Sequence, residues 1–116
     1  MRLFGIIGYP LGHSFSEKYF NGKFNTENIP ACLYRKFEIP SIELLSELID
    51  NEPDLAGFNV TIPYKVQVLR YLDDIDREAD EIGAVNTVRV TRKNEKPFLK
   101  GFNTDAPAFR QSLLDN

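Results

Sequence analysis

The stretch "GFNVTIPYK", residues 57–65, decides how this chain is expected to fold. Its apolar residues alternate with Asn59 and Thr61, as a half-buried strand requires. Pro63 then stands where a helix could begin, which would place Lys65 in the first turn of that helix. The stretch therefore predicts a strand that runs into a helix, with an amide, a hydroxyl and an ammonium near the junction.

Lys65 has two interpretations. A lysine near the start of a helix is usually a solvated surface residue. At about 100° per residue, however, Val68, Leu69 and Leu72 would all fall within about 60° of Lys65, so it would head the buried stripe. The alternative is an amine at the mouth of a cleft, in an acid–base role. The sequence favours the cleft, although the side chain could still reach solvent.

On either side of this stretch, apolar strand patterns alternate with helical ones. Strands are predicted at 3–8, 32–39 and 55–62, with helices after Ser14, after Ser41 and from about Pro63. Segments 84–90 and 98–102 flank a polar turn and predict a hairpin, and 105–116 predicts a last helix. We therefore predict an α/β three-layer sandwich, in which helices flank a mainly parallel mixed sheet that contains one antiparallel hairpin.

The composition of the chain limits the classes of partner that it could bind. The chain has 116 residues, 42% of them hydrophobic, and a formal net charge of −3. This predicts one globular domain and argues against nucleic acid or an anionic membrane as a partner. No apolar run could span a membrane and no secretory leader precedes "LFGIIG", and the single cysteine, Cys32, fits a reducing cytoplasm.

Metal chemistry is not indicated. One histidine and one cysteine cannot form a zinc set, so no metal site is predicted. The acidic run "DDIDREADE", residues 73–81, lacks the glycine and the terminal glutamate of a calcium loop. It is interpreted as a solvated acidic helix face.

Asn-Thr pairs recur beyond the opening stretch, in "GAVNT" (83–87) and "GFNTD" (101–105). Turn or capping chemistry explains any one of them. Three such clusters at strand ends suggest a surface for a polyhydroxylated ligand, because amides and hydroxyls both donate and accept hydrogen bonds. Ser14 and Ser16, near a predicted helix start, suit an anion such as a carboxylate.

Four segments together resemble the N-terminal, substrate-binding domain of shikimate dehydrogenases. They are "IGYPLGHSFS", "GFNVTIPYK", "GAVNT" and "GFNTD", in the order of that family and close to its spacing, and they span residues 6–105. The resemblance implies an oxidoreductase that interconverts 3-dehydroshikimate and shikimate with NADP, in the pathway to chorismate and the aromatic amino acids.

The resemblance also implies roles for individual residues. Ser14 and Ser16 would bind the carboxylate of the substrate. Its ring hydroxyls would be held by Asn59, Thr61, Asn86 and Asp105. Lys65 and Asp105 would be the catalytic pair, with Lys65 also in contact with the substrate.

The resembling enzymes are longer, and they carry a second domain with a glycine-rich nucleotide-binding fingerprint. We therefore expect residues 1–103 to be the shikimate-binding domain and 104–116 to begin a helix leading to that second domain. No cofactor-binding residue is expected within this chain, NADP being bound mainly by the other domain, and the isolated chain is expected to be inactive. The alternatives are a non-catalytic module that binds shikimate or quinate, and a quinate dehydrogenase domain.

The chain departs from the usual family pattern in two places. Glu17 and Phe20 stand where proline and histidine are usual, and Ala106-Pro107-Ala108 replaces a turn that contains glycine. These changes bear on the choice of substrate more than on the class of reaction.

Overall fold

The computed structural model of the chain describes residues 2–12, 15–28 and 31–104, and for residues 15–17 it describes only the backbone. The described part contains six strands: β1 (Arg2–Gly8), β2 (Cys32–Glu38), β3 (Leu55–Val60), β4 (Asp74–Ile75), β5 (Thr87–Lys93) and β6 (Lys96–Phe102). Its α-helices are α1 (Phe15–Thr26), α2 (Leu45–Asn51) and α3 (Arg77–Ile82), and two 3-10 helices span Ile42–Leu44 and Gln67–Tyr71.

The six strands form one mixed sheet in the order β2-β1-β3-β5-β6-β4. β1 pairs in parallel with β2 and β3, and β4 pairs in parallel with β6. β5 is antiparallel to both of its neighbours, β3 and β6. The predicted α/β fold with a mostly parallel sheet and one hairpin is confirmed, with β5 also forming an antiparallel ladder with β3.

One face of the sheet carries the main hydrophobic core. Strand residues such as Leu3, Ile7 and Phe58 are buried there with Leu45 of α2 and Val68 of the second 3-10 helix. Ala79 of α3 belongs to the same cluster. Fully burying such a side chain stabilises the fold by roughly 1.5–3 kcal/mol, so this face supplies most of the driving force for folding.

The opposite face is covered in part by α1. Strand alternation turns Phe4 and Tyr34 to this side, where Phe24 and Phe20 of α1 meet them. The ring centroids are 6.2 Å apart for Phe4–Phe24 and 4.8 Å apart for Phe20–Tyr34. With α1 on one face and α2 and α3 on the other, the sheet lies between two helical layers.

The hairpin turn is shorter than the polar stretch between the predicted strands. β5 extends to Lys93 and β6 begins at Lys96, which leaves Asn94 and Glu95 as the turn. Their φ angles are +54° and +66°. Two left-handed central residues twist a hairpin in the sense that paired strands require.

The predicted α-helix from Pro63 is wrong. Residues 62 and 63 form a turn with a cis Ile62–Pro63 peptide, and the helix that follows is a 3-10 helix beginning only at Gln67. In an α-helix the Lys65 carbonyl would accept from the amide of Leu69. It accepts instead from the amide of Val85, at 2.9 Å, while Leu69 bonds to Val66. A tertiary contact has therefore replaced a helical one.

Two further expectations about this region are corrected. The strand predicted over 55–62 is shorter, because β3 ends at Val60, and Ile62 is 73% exposed. The acidic run is a helix only from Arg77, because Asp74–Ile75 forms the edge strand β4 against β6. The helix α3 that follows is capped by the Asp76 carboxylate, which accepts from the amide of Glu78.

Candidate functional site

Three polar segments meet at the carboxyl end of β3, held by backbone hydrogen bonds. The amide of Val60 donates to the carbonyl of Asn86 at 2.8 Å, and that of Val85 donates to Lys65 at 2.9 Å. The amide of Asn86 donates in turn to the carbonyl of Phe102 at 3.0 Å. The stretches 57–65, 83–87 and 101–104 are thus brought together, as open α/β sheets do at ligand sites.

A chain of side-chain hydrogen bonds runs across the same end of the sheet. The Tyr34 hydroxyl lies 2.8 Å from Asn59 Oδ1, and Asn59 Nδ2 lies 3.3 Å from Thr87 Oγ1. Thr87 Oγ1 is 3.0 Å from Asn86 Oδ1, which also accepts from the backbone amide of Thr104 at 3.0 Å. Asn59 and Asn86 are half-buried and linked through Thr87, so the two amides form one surface.

Thr61 lies beside Gly8 at the end of β1. Its backbone amide donates to the carbonyl of Ile7 at 3.0 Å, which extends the β1–β3 pairing past the end of β3. A Cβ on Gly8 would come within 2.5 Å of Thr61 Cγ2. Strand alternation puts Gly8 on the α1 side of the sheet, so this close approach places the Thr61 side chain on the same side as Asn59.

Lys65 sits next to the amide cluster, because its carbonyl is fixed by Val85, immediately before Asn86. Lys65 is half-buried, and the apolar residues near it in the chain, Ile62 and Val66, are exposed. Lys65 does not lie in the first turn of a helix, as was expected, because the helix that follows begins only at Gln67. Lys65 is therefore placed by tertiary hydrogen bonds and not by a helical turn.

Three of the predicted site residues fall outside what the structure describes: Ser14, Asp105 and the side chain of Ser16. The backbone of Ser16 lies in the first turn of α1. Thr104, the residue before Asp105, is held to Asn86 by side-chain and backbone hydrogen bonds. Residue 104, the last one that the structure describes, therefore lies beside the amide cluster.

Sequence reasoning assigned no role to Tyr34, and it left Thr87 and Thr104 as unassigned members of their motifs. All three complete the hydrogen bonds of the two amides. Tyr34 lies 25 residues from Asn59 in an ordinary strand pattern, so only the alignment of β2 beside β1 and β3 reveals it.

A groove of about 410 Å³ continues from the amide cluster along the α1 face of the sheet. Asn59 and Thr87 form part of its lining, and Phe4, Phe20 and Gly57 make its wall and floor apolar. Within residues 2–12, 15–28 and 31–104, no group of three or more His, Cys, Asp or Glu side chains could hold a metal ion. In the same residues, no helix has the length and hydrophobicity to traverse a lipid bilayer.

The family model of the shikimate dehydrogenase substrate binding domain matches residues 6–88. The chain belongs to that family. The chain is 44% identical to an NADP(+) shikimate dehydrogenase from Halothermothrix orenii, covering 99% of this chain and 38% of the relative. It is 42% identical to the corresponding enzyme from Caldanaerobacter subterraneus, covering 98% of this chain and 39% of the relative.

Among solved structures, the chain resembles a shikimate dehydrogenase from Thermus thermophilus crystallised with shikimate. The TM-score is 0.78 at 33% identity, over 99% of this chain and 42% of that one. The chain thus spans about two fifths of the length of the shikimate dehydrogenases it matches.

Proposed function

We propose that this chain is the substrate-binding domain of an NADP-dependent shikimate dehydrogenase, which reversibly reduces 3-dehydroshikimate to shikimate in chorismate biosynthesis. The observation that carries the proposal is the convergence of Asn59, Lys65 and Asn86 at the carboxyl end of β3, within the stretch that the family model matches. Residues 1–103 form this domain, and 104–116 begin the connection to a nucleotide-binding domain.

The ligand contacts follow from the chemistry of the cluster. Asn59 and Asn86 offer amide groups, and Thr61 a hydroxyl, to ring hydroxyls that both donate and accept hydrogen bonds. Ser14 and Ser16 bind the carboxylate near the start of α1, where backbone amides favour an anion. Asp105 completes the hydroxyl contacts from the segment that follows Thr104.

The catalytic pair is Lys65 and Asp105. In reduction NADPH would supply a hydride to C3 of the ring, and in oxidation NADP⁺ would accept it. In the direction of reduction, the Lys65 ammonium donates a proton to the oxygen on C3, and in oxidation the neutral amine takes that proton back. Asp105 is the partner of Lys65 in this pair and also binds a ring hydroxyl.

This chain does not contain the glycine-rich turn that usually binds the phosphates of a dinucleotide cofactor. No two of its seven glycines are two positions apart, so the G-x-G-x-x-G turn between a strand and a helix is not present. NADP is therefore bound mainly by the second domain, and the 116-residue chain alone has no dehydrogenase activity.

The charge of the chain and its cysteine indicate the class of ligand and the cellular compartment. The partner is a small hydroxylated acid, and a net charge of −3 does not favour nucleic acid or an anionic membrane. The free thiol of Cys32 suits the reducing cytoplasm, where chorismate biosynthesis would take place.

Calorimetric titration of the chain with shikimate tests this proposal, with quinate titrated in parallel. We expect saturable binding of one shikimate per chain, and affinity about tenfold lower for Thr61→Val, which removes a hydroxyl at nearly constant volume. Absence of binding at millimolar shikimate would refute the substrate assignment. Tighter binding of quinate would instead favour a quinate dehydrogenase.

A further inference from the structure

The chain of side-chain hydrogen bonds at the carboxyl end of β3 has a fixed donor-to-acceptor direction. At one end is the backbone amide of Thr104, which can only donate and lies 3.0 Å from Asn86 Oδ1. That oxygen is therefore an acceptor, and the orientation of the Asn86 side chain is fixed. Asn86 Nδ2 correspondingly donates to Thr104 Oγ1 at 2.9 Å.

The direction propagates through Thr87 to Asn59. Thr87 Oγ1 lies 3.0 Å from the Asn86 acceptor, so its single proton is donated there. Toward Asn59 the hydroxyl must then accept, which assigns the atom 3.3 Å away as Nδ2. Asn59 Oδ1 consequently faces the Tyr34 hydroxyl at 2.8 Å, and Tyr34 must be the donor.

Tyr34 is itself held in place. The residue is buried, with 4% of its surface exposed, and its ring stacks on Phe20 at 4.8 Å with an interplanar angle of 25°. Its backbone is fixed by Asn21 of α1, which accepts from the Tyr34 amide at 2.8 Å and donates to the Tyr34 carbonyl at 2.9 Å. The hydroxyl is therefore presented to Asn59 from a rigid position.

We infer that Tyr34 is a positioning residue, whose hydroxyl holds the Asn59 amide in the single orientation that presents an N–H donor to the ligand. Thr87 uses one of the two Nδ2 protons, which leaves the other for a substrate oxygen. Without the Tyr34 hydroxyl, only the longer 3.3 Å hydrogen bond from Nδ2 to Thr87 would hold this orientation, so the amide would be held less firmly. The ligand role of Asn59 in this inference rests on the proposed function, whereas the Tyr34–Asn59 coupling can be tested independently.

The first test is a double-mutant cycle with shikimate binding as the readout. Tyr34→Phe keeps the stacked ring and removes only the hydroxyl, and we expect the dissociation constant to rise about 5- to 10-fold. In an Asn59→Ala background the same substitution should change affinity less than twofold. Tyr71→Phe is the matched control and should leave affinity unchanged, because the Tyr71 hydroxyl accepts an exposed hydrogen bond from its neighbour Arg70 in the second 3-10 helix. An equal loss in both backgrounds would overturn the inference, because it would show that Tyr34 does not act through Asn59.

The second test needs no ligand. In ¹⁵N-resolved NMR spectra of the chain, Tyr34→Phe should shift the two side-chain amide protons of Asn59 and speed their exchange with solvent, while Tyr71→Phe should not. Unchanged Asn59 signals in Tyr34→Phe would overturn the inference. If the unsubstituted chain failed to bind shikimate, the proposed function would fall, and this measurement would still decide whether Tyr34 positions Asn59.

Discussion

The two ends of the central strands are held in different ways. At the carboxyl end of β3, Asn59, Thr87 and Asn86 bond to one another through neutral side chains. At the opposite end the Arg92 guanidinium, reaching across from β5, donates to three backbone carbonyls. Their donor–acceptor distances are 2.8 Å to Leu55, 3.1 Å to Ile49 and 3.0 Å to Glu52.

The difference separates stability from binding. The carbonyls of Ile49 and Glu52 lie at the carboxyl end of α2, where a helix leaves acceptors unsatisfied and a cation is favourable. Arg92 therefore ties a helix end to the sheet with three of its five N–H donors. The amides of Asn59 and Asn86 at the other end are linked through Thr87, and Asn59 Nδ2 has a second N–H beyond that bond, which suits a hydroxylated ligand. Substitutions at the two ends should accordingly produce different kinds of damage.

The largest expected effect is catalytic and lies at the site end. In a chimera where this chain replaces the matched part of the Halothermothrix orenii enzyme, Lys65→Met should lower kcat by about 100- to 10,000-fold and change KM much less. The control is Lys96→Met, which removes an exposed lysine at the hairpin turn and should leave kcat unchanged. Near-normal kcat in Lys65→Met would remove Lys65 from the catalytic pair.

The next effect lies at the opposite end and should appear only in stability. Arg92→Met removes charged donors from three carbonyls, and we expect the free energy of unfolding to fall by about 2 kcal/mol in urea titrations. Arg77→Met is the matched control, because its ion pair with Glu81 is on the surface with the arginine side chain 91% exposed. The control should cost less than about 0.5 kcal/mol. A loss of shikimate affinity in Arg92→Met, with stability intact, would contradict the separation of the two ends.

Gly8→Ala should reduce both properties, because it acts on packing at the site end. The added methyl would lie 2.5 Å from Thr61 Cγ2 and 2.7 Å from Leu11 Cδ2, so Thr61 must shift. We expect about 1–2 kcal/mol lower stability from overpacking, and several-fold weaker shikimate binding. Gly22→Ala in α1 is the control, since a methyl there meets nothing within 4 Å and should be neutral or stabilising. Unchanged affinity in Gly8→Ala would show that Thr61 does not contact the ligand.

The smallest effect is a pH dependence of stability from Tyr64, which lies in the site segment but faces the core. Burial, and secondarily Tyr9, raise the pKa of the Tyr64 phenol, which donates to the carbonyl of Ile39. The phenol of the unfolded chain ionises at lower pH, so the stability that Tyr64 contributes is complete below about pH 10 and declines as pH rises further. Tyr64→Phe should be less stable at neutral pH, and the gap to the unsubstituted chain should narrow above about pH 10. Parallel urea-unfolding curves across that range would contradict this.

The predictions from sequence succeeded where the signal was local. The apolar run "LFGIIG" predicted β1, and alternation in "CLYRKFEI" predicted β2. Ser41 accepts a hydrogen bond from the amide of Glu43 at a helix start, as its position suggested. The hairpin followed from two strand patterns around a polar turn. Each of these depends on a few neighbouring residues and their preferred dihedral angles.

The predictions failed where contacts distant in sequence outcompeted local preference. The helix expected at Pro63 gave way to a turn because the Lys65 carbonyl pairs with Val85, and the short strand β4 forms only because β6 offers an edge. Asn59 and Thr61 were singled out by residue type and spacing, but the residues they contact, Tyr34 and Gly8, come from other strands. No pattern within one segment carries that information.

The sequence by itself determined the α/β alternation, the polar residues at the strand ends and the family to which they point, because these depend on residue chemistry and short-range spacing. Only the tertiary structure decided that the Asn59 and Asn86 amides form one directed hydrogen-bond chain with Tyr34 as its donor at the far end. The physical reason is that the direction of a hydrogen bond is set by every partner in the network, and here the partners come from four separate strands and loops.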